Sequence, residues 1–157
     1  MDINTYAKVY IDKYQYMMKG SPMSRVQLAL NVANLDEAVA FYAALFQTNV
    51  AKIKPGYANF SIDDPPLKLV LIENGQSQSS LNHLGVEVAS ANEVALTGSR
   101  LSVQGIDTTN QDSVTCCYAV QDKVWVHAPD GLPWEFYTVL ADAPAISTKG
   151  ADSMCCK

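Results

Sequence analysis

Cys116 and Cys117 are neighbours in the run Thr115-Cys116-Cys117-Tyr118-Ala119-Val120-Gln121-Asp122-Lys123, and thiols on adjacent residues offer paired sulfur to a soft, thiophilic centre. A disulfide between them would close a small strained ring, far from the Cα separation and dihedral that disulfides adopt. Chelation is the easier use. Soft donors prefer soft acceptors, so the pair suits trivalent arsenic, cadmium, zinc or cuprous copper better than magnesium or calcium. The competing use is structural, because free cysteine is a common small core residue. A second pair, Cys155-Cys156, stands near the C-terminal end. Two adjacent pairs do not make a disulfide framework, and reduced thiols imply a cytoplasmic setting.

The elements that would position such a pair are those of one domain. A chain of 157 residues can bury roughly two thirds of its extended surface. Hydrophobic residues at 48% and charged residues at 17% are globular proportions and exclude wholesale disorder. The formal net charge is -5 and no Lys/Arg cluster is present, so nucleic acid is not an expected partner. No apolar run has membrane-spanning length, and no secretory leader is recognisable, so neither a membrane nor export is expected.

Residues 1–22 carry Tyr6, Val9, Tyr10, Lys13, Tyr14 and Met17 at roughly helical spacing before the breaker Gly20-Ser21-Pro22, and read as an N-terminal extension or tag. Residues 141–157, rich in Ala, Ser, Asp and Lys, read as a flexible cysteine-containing tail. The body between them, about 23–140, repeats itself as modules of about 23–75 and 80–140. Val26 to Val32 alternates like a strand, and Asn82 to Val88 does the same. Each is followed by a helix start resembling a capping box, Asn34 with Glu37 and Ser90 with Glu93. His83 follows Gln27, Ser90 follows Asn34 and Glu93 follows Glu37 by the same 56 residues. Helices through Val39, Tyr42, Leu45 and Phe46 and through Val94, Leu96 and Leu101 come next, the second stopping at Gly105. Strands are expected over Tyr57–Ile62, Leu67–Ile72, Cys116–Val120, Val124–His127 and Trp134–Val139, with Pro129-Asp130-Gly131 as a turn. The expected fold is α+β: two βαβββ modules forming a curved mixed sheet around a cleft.

These residues resemble the vicinal oxygen chelate superfamily, the glyoxalase/bleomycin resistance/dioxygenase fold. More narrowly, the strands around Gln27 and His83, the Cys-Cys-Tyr-Ala-Val-Gln-Asp-Lys run, Pro129-Asp130-Gly131 and Trp134-Glu135 resemble the organoarsenical carbon-arsenic lyases and the cadmium-induced proteins grouped with them. The cysteine run is specific to that group, whereas the Pro-Asp-Gly turn is shared across the superfamily. The resemblance implies ferrous iron, Fe(II), as cofactor, with a trivalent organoarsenical and dioxygen as substrates, cleaved to arsenite and, from a methyl group, formaldehyde. It also implies the metal ligands Gln27, His83 and Glu135, with Cys116, Cys117 and Tyr118 binding substrate and the two thiols taking part in the reaction. Cadmium or arsenite are further partners it implies, and a homodimer is compatible with it. Gln47 stands where the group usually has a glycine helix terminator.

The implied ligand set is chemically sound. One imidazole, one carboxylate and one amide oxygen leave open positions on an octahedral iron, as a facial triad does. An ionised Glu135 between Trp134 and Phe136 needs a partner to offset its desolvation. His127 precedes the Pro129-Asp130-Gly131 turn and reads as a surface residue. The place in the first module equivalent to Glu135 falls near Leu69 and offers no carboxylate, which disfavours a four-ligand, glyoxalase-like site. Tyr57, Tyr118, Phe41 and Trp125 are candidates for an aromatic wall, and Lys123 for assisting thiol deprotonation. Two other functions fit parts of the pattern: a non-catalytic cadmium or arsenite binder, and a dioxygenase or isomerase acting on an ordinary organic substrate.

Overall fold

The structure is a computed structural model that describes residues 24–144; the helical extension expected over residues 1–22 and the pair Cys155-Cys156 lie outside the described residues. The first module runs β1 (Arg25–Val32), α1 (Leu35–Phe46), β2 (Lys52–Lys54), β3 (Tyr57–Ile62) and β4 (Leu67–Glu73). The second runs β5 (Leu81–Glu87), α2 (Ala91–Val103), β6 (Thr109–Cys116), β7 (Ala119–His127) and β8 (Pro133–Asp142).

All these strands join one sheet in the order β2-β3-β4-β1-β5-β8-β7-β6. β1 and β5 meet antiparallel at its centre, with Gln27 opposite Gly85 and Ala29 opposite His83. That crossed pairing is the signature of a two-fold relation, because His83 stands to β5 as Gln27 stands to β1. β4 runs parallel to β1, and β8 parallel to β5. Each module thus supplies the same half of a curved mixed sheet, and the expected α+β architecture is the one found.

Both helices start where the spacing predicts. Asn34 Oδ1 accepts from the Glu37 amide at 3.1 Å and Ser90 Oγ from the Glu93 amide at 3.3 Å, each satisfying a donor that a first helical turn leaves without a partner. α1 ends at Gln47 with φ 50, a left-handed conformation that glycine holds at lower cost. Leu35, Val39, Tyr42 and Phe46 recur on one face of α1 and pack on Ala58, Phe60, Ile62, Leu69 and Leu71. Phe60 and Leu71 are fully buried, worth about 1.5–3 kcal/mol each. Val94 of α2 packs with Val88 and Val124 on the other half. With one face of the sheet covered by helices, the alternate residues turn to the inner face. Gln27 and Ala29, His83 and Gly85, Glu135 and Tyr137, and Lys123 and Trp125 are buried there.

The structure departs from the sequence expectation at one important place. Cys116–Val120 reads as a strand, but the chain reverses inside it. β6 ends at Cys116, β7 begins at Ala119, and those two residues pair. Cys117 (φ 50) and Tyr118 (φ 63) form the loop between them, both left-handed. Two-residue hairpin loops of this kind favour Asn-Gly, and nothing in Cys-Tyr announces one. β8 also continues to Asp142, where Ala141 and Asp142 pair with Val120 and Ala119, two residues into the stretch whose composition reads as tail.

Candidate metal and thiol site

Three side chains from three strands converge on the inner face. The Nε2 atoms of Gln27 and His83 are 3.1 Å apart, and Glu135 Oε1 lies 2.7 Å from Gln27 Nε2 and 3.2 Å from His83 Nε2. All three residues are buried. Gly85 makes the convergence sterically feasible, because a Cβ there would stand 3.0 Å from Glu135 Cγ and 3.3 Å from Gln27 Cβ.

A relay of amides sets the proton on His83. The Ser79 carbonyl can only accept, and it takes a hydrogen bond from Asn31 Nδ2 at 2.9 Å. Asn31 Oδ1 therefore faces Asn82 Nδ2, at 2.9 Å, and Asn82 Oδ1 faces His83 Nδ1, at 2.7 Å. Nδ1 is the donor to that oxygen, so in the neutral ring the Nε2 lone pair points at Glu135 and Gln27. Two acceptors 3.2 Å apart in a buried place call for a positive charge between them, either a second proton on the imidazole, which lets Nε2 donate to Glu135 Oε1, or a metal ion.

Glu135 has one such cation on its other side. Lys123, 1% exposed, donates to Glu135 Oε2 at 2.8 Å, with its ammonium also near the Trp125 and Tyr137 rings. Burial alone would raise the Glu135 carboxyl, but the Lys123 charge and the His83 hydrogen bond outweigh it and hold the pKa at about 2. Tyr137 Oη donates to Gln27 Oε1 at 2.6 Å, and burial pushes its pKa well above 10, so it keeps its proton.

The donor set fits a metal ion. Among the described residues no group of three or more His, Cys, Asp and Glu side chains converges, so a centre here depends on the Gln27 amide joining His83 and Glu135. In this structure Gln27 turns its oxygen to Tyr137 and its nitrogen to the centre. The Tyr137 hydroxyl can donate to an oxygen or accept from an NH₂ group, so it serves either orientation of the amide. Ala29 pairs with Val70 as Gly85 pairs with Glu135. The first-module counterpart of Glu135 is thus apolar Val70, one residue from the expected Leu69, and it supplies no fourth donor.

The sulfurs reach the same place. Cys116 and Cys117 share a cavity of ≈ 20 Å³ with Gln27, His83 and Glu135. Their Sγ atoms are 3.4 Å apart, well beyond the ~2.05 Å of an S–S bond, so they are not joined to each other. Both are nevertheless engaged in disulfides in this structure, and chelation by the pair requires the reduced form. Tyr118 props the left-handed loop that presents them. Its hydroxyl donates to the Pro55 carbonyl at 2.9 Å, and its ring lies 5.7 Å from that of Tyr57.

Of the expected aromatic wall, Tyr57 lines the cavity and Trp125 packs on Cys116, with its ring edge-on to His83. Phe41 is 60% exposed on α1 and belongs to no wall, because its turn of the helix faces away from the sheet. His127 is exposed at the end of β7, as expected. Sequence reading missed Asn82, Tyr137, Gly85 and Gln121. Tyr137 was accessible in principle, since it lies two residues beyond Glu135 and so on the same face of the strand.

A duplicated sheet enclosing a two-fold-related donor pair is the architecture of one superfamily. Residues 24–136 match the Glyoxalase/Bleomycin resistance protein/Dioxygenase superfamily, and the chain belongs to it. A solved relative in fold is the Mn(II)-bound glyoxalase from Novosphingobium aromaticivorans, with TM-score 0.56 and 18% identity over 77% of this chain and 42% of that one. More narrowly, the chain belongs to the family of cadmium-induced proteins and trivalent organoarsenical cleaving enzymes. It is 54% identical over 142 residues to Cadmium-induced protein CadI of Mycobacterium tuberculosis, covering 85% of this chain and 93% of that one. It is 53% identical over 135 residues to the Trivalent organoarsenical cleaving enzyme of Thermomonospora curvata, covering 85% and 89%. No helix among the described residues is long and apolar enough to cross a membrane.

Proposed function

We propose that this chain is a ferrous-iron- and dioxygen-dependent carbon-arsenic lyase acting on trivalent organoarsenicals in the cytoplasm. The observation that carries the reading is that Cys116 and Cys117 open into the same cavity as Gln27, His83 and Glu135. The organoarsenical cleaving enzyme at 53% identity supports the substrate class. Held by Gln27, His83 and Glu135, ferrous iron would supply the one-electron chemistry that lets dioxygen attack a carbon-arsenic bond.

The chain's own residues do the rest. The reduced thiols of Cys116 and Cys117 replace the hydroxyls of a dihydroxyarsine, with one water released for each As–S bond. The left-handed loop at Cys117 and Tyr118 fixes both sulfurs toward the inner face, and this proximity substitutes for a bimolecular encounter. Asn82 keeps the His83 proton on Nδ1, and Lys123 keeps Glu135 ionised. Tyr57 and Val70 line the cavity with apolar surface, Trp125 backs Cys116 and His83, and together they keep bulk water from the reacting bond. The net reaction balances as CH₃As(OH)₂ + O₂ → As(OH)₃ + HCHO.

The test is turnover. Reduced protein loaded with ferrous iron without air, then given methylarsonous acid and air, is expected to release arsenite and formaldehyde in equal amounts. Cys116→Ser and His83→Ala are each expected to abolish release, and unchanged turnover in both variants would discard the reading. The cadmium-induced relatives at 54% identity favour one other function, sequestration. Stoichiometric cadmium uptake with no formaldehyde from the wild type would establish that instead.

A further inference from the structure

Gln121 is the one buried side chain in the cavity whose hydrogen bonding is incomplete. Among the described residues its Oε1 is the sole buried side-chain nitrogen or oxygen without a partner, and the residue is 7% exposed. A buried carboxamide oxygen left unsatisfied keeps the full cost of its desolvation, so the position calls for a donor that the described residues do not provide. Gln121 lines the cavity shared by the sulfurs and the triad. Its place on β7 is intermediate. Ala119, two residues before it, pairs with Cys116, and Lys123, two residues after it, holds Glu135. The inner row of β7 therefore runs from the sulfur end to the carboxylate end, with Gln121 between them.

We propose that Gln121 is a substrate-binding residue whose Oε1 accepts a hydrogen bond from the hydroxyl that remains on arsenic after the first thiol has attached. The inference rests on arsenical capture by Cys116 and Cys117. In the first step a dihydroxyarsine R–As(OH)₂ and one thiol give R–As(OH)–S–Cys and water. In the second, the other thiol displaces the remaining hydroxyl, again as water, and the arsenic stays trivalent throughout. The half-bound adduct carries one As–OH donor, and the cavity of ≈ 20 Å³ matches a group about the size of one water. Accepting from that hydroxyl turns the arsenic toward the second sulfur and gives Gln121 Oε1 the donor it lacks. The residue thereby discriminates by substitution: an arsenical with two hydroxyls is held for closure, whereas one with a single hydroxyl has nothing left to donate once attached.

The experiment follows capture by the reduced full-length chain without dioxygen, so that nothing turns over. Two probes are used: methylarsonous acid, with two hydroxyls, and dimethylarsinous acid, with one. Rapid quenching with a thiol reagent separates one-thiol from two-thiol adducts. Fluorescence of Trp125, which packs on Cys116, reports the local event as the phase that Cys116→Ser abolishes. Gln121→Leu is expected to slow closure on methylarsonous acid about tenfold, the worth of one buried hydrogen bond, while capture of dimethylarsinous acid stays within twofold of wild type. Gln121→Glu, which keeps an acceptor, is expected to restore most of the rate, and Gln121→Met replaces the leucine variant if its thermal melt shows a folding defect. Closure unchanged in the apolar variant, or both probes slowed alike, would overturn the assignment. Absence of Cys116-dependent capture in the wild type would instead bring down the arsenical reading beneath it.

Discussion

Gly85→Ala probes whether the triad is packed for a single ion. Gly85 lies opposite Gln27 on β1 and opposite Glu135 on β8, so the space of its missing side chain is the space through which two donors reach the centre. A Cβ would stand 3.0 Å from Glu135 Cγ and 3.3 Å from both Gln27 Cβ and Nε2, inside the ~3.5–4.0 Å of ordinary carbon contacts. Neither neighbour can move away freely, since Glu135 is tied to Lys123 at 2.8 Å and Gln27 to Tyr137 at 2.6 Å. Overpacking of this kind costs about 1–3 kcal/mol, which at this chain length lowers Tm by about 2–12 °C. Misplacing the donors weakens metal binding as loss of an outer-shell partner does, about 10–100-fold. Circular dichroism melts with and without ferrous iron read both effects, because a ligand that binds only the folded state raises Tm by an amount that grows with the logarithm of its affinity. Gly75→Ala is the control: its Cβ meets nothing closer than 3.9 Å and should change neither quantity. A Gly85→Ala protein with wild-type iron affinity and the full iron-induced rise in Tm would refute the argument that Gln27 and Glu135 converge on one ion through this gap.

Two further substitutions test the supports of the triad. Lys123→Met strands a buried carboxylate, so the metal-free protein should lose about 3–5 kcal/mol. Glu135, held at about 2 against an ordinary 4.5, contributes stability that is full above about 4.5 and lost as pH falls through about 2. Without Lys123 the carboxyl rises, and acid unfolding followed by circular dichroism should begin at higher pH; an unmoved acid limb would show that Lys123 does not hold the charge. Tyr137→Phe removes the hydroxyl that holds the Gln27 amide, and iron affinity by chelator competition should fall about tenfold with Tm changed by only a few degrees. Unaltered affinity would mean that Gln27 needs no such anchor.

Much of this protein is written along the chain. The alternation through Gln27 and His83, the caps at Asn34 and Ser90 and the constant offset between them determine two equal modules, because capping and periodicity are local and survive without knowledge of partners. The adjacency of Cys116 and Cys117 is legible in the same way, and it is the feature from which a soft, thiophilic substrate is proposed. What the chain alone leaves undecided is everything that depends on which strands become neighbours. The left-handed loop at Cys117 and Tyr118 contradicts local propensity, and it holds because Tyr118 is anchored to Pro55 and Tyr57, residues some sixty positions away. Val70 replaces Leu69 as the counterpart of Glu135 because strand register, which shifts every side chain to the other face with each residue of slip, is set by the β1–β4 and β5–β8 ladders. The Lys123 ion pair, the Asn31-Asn82-His83 relay and the incomplete hydrogen bonding of Gln121 arise only when β1, β5, β7 and β8 close around one cavity. There, burial makes every unmatched polar atom expensive enough to dictate its partner.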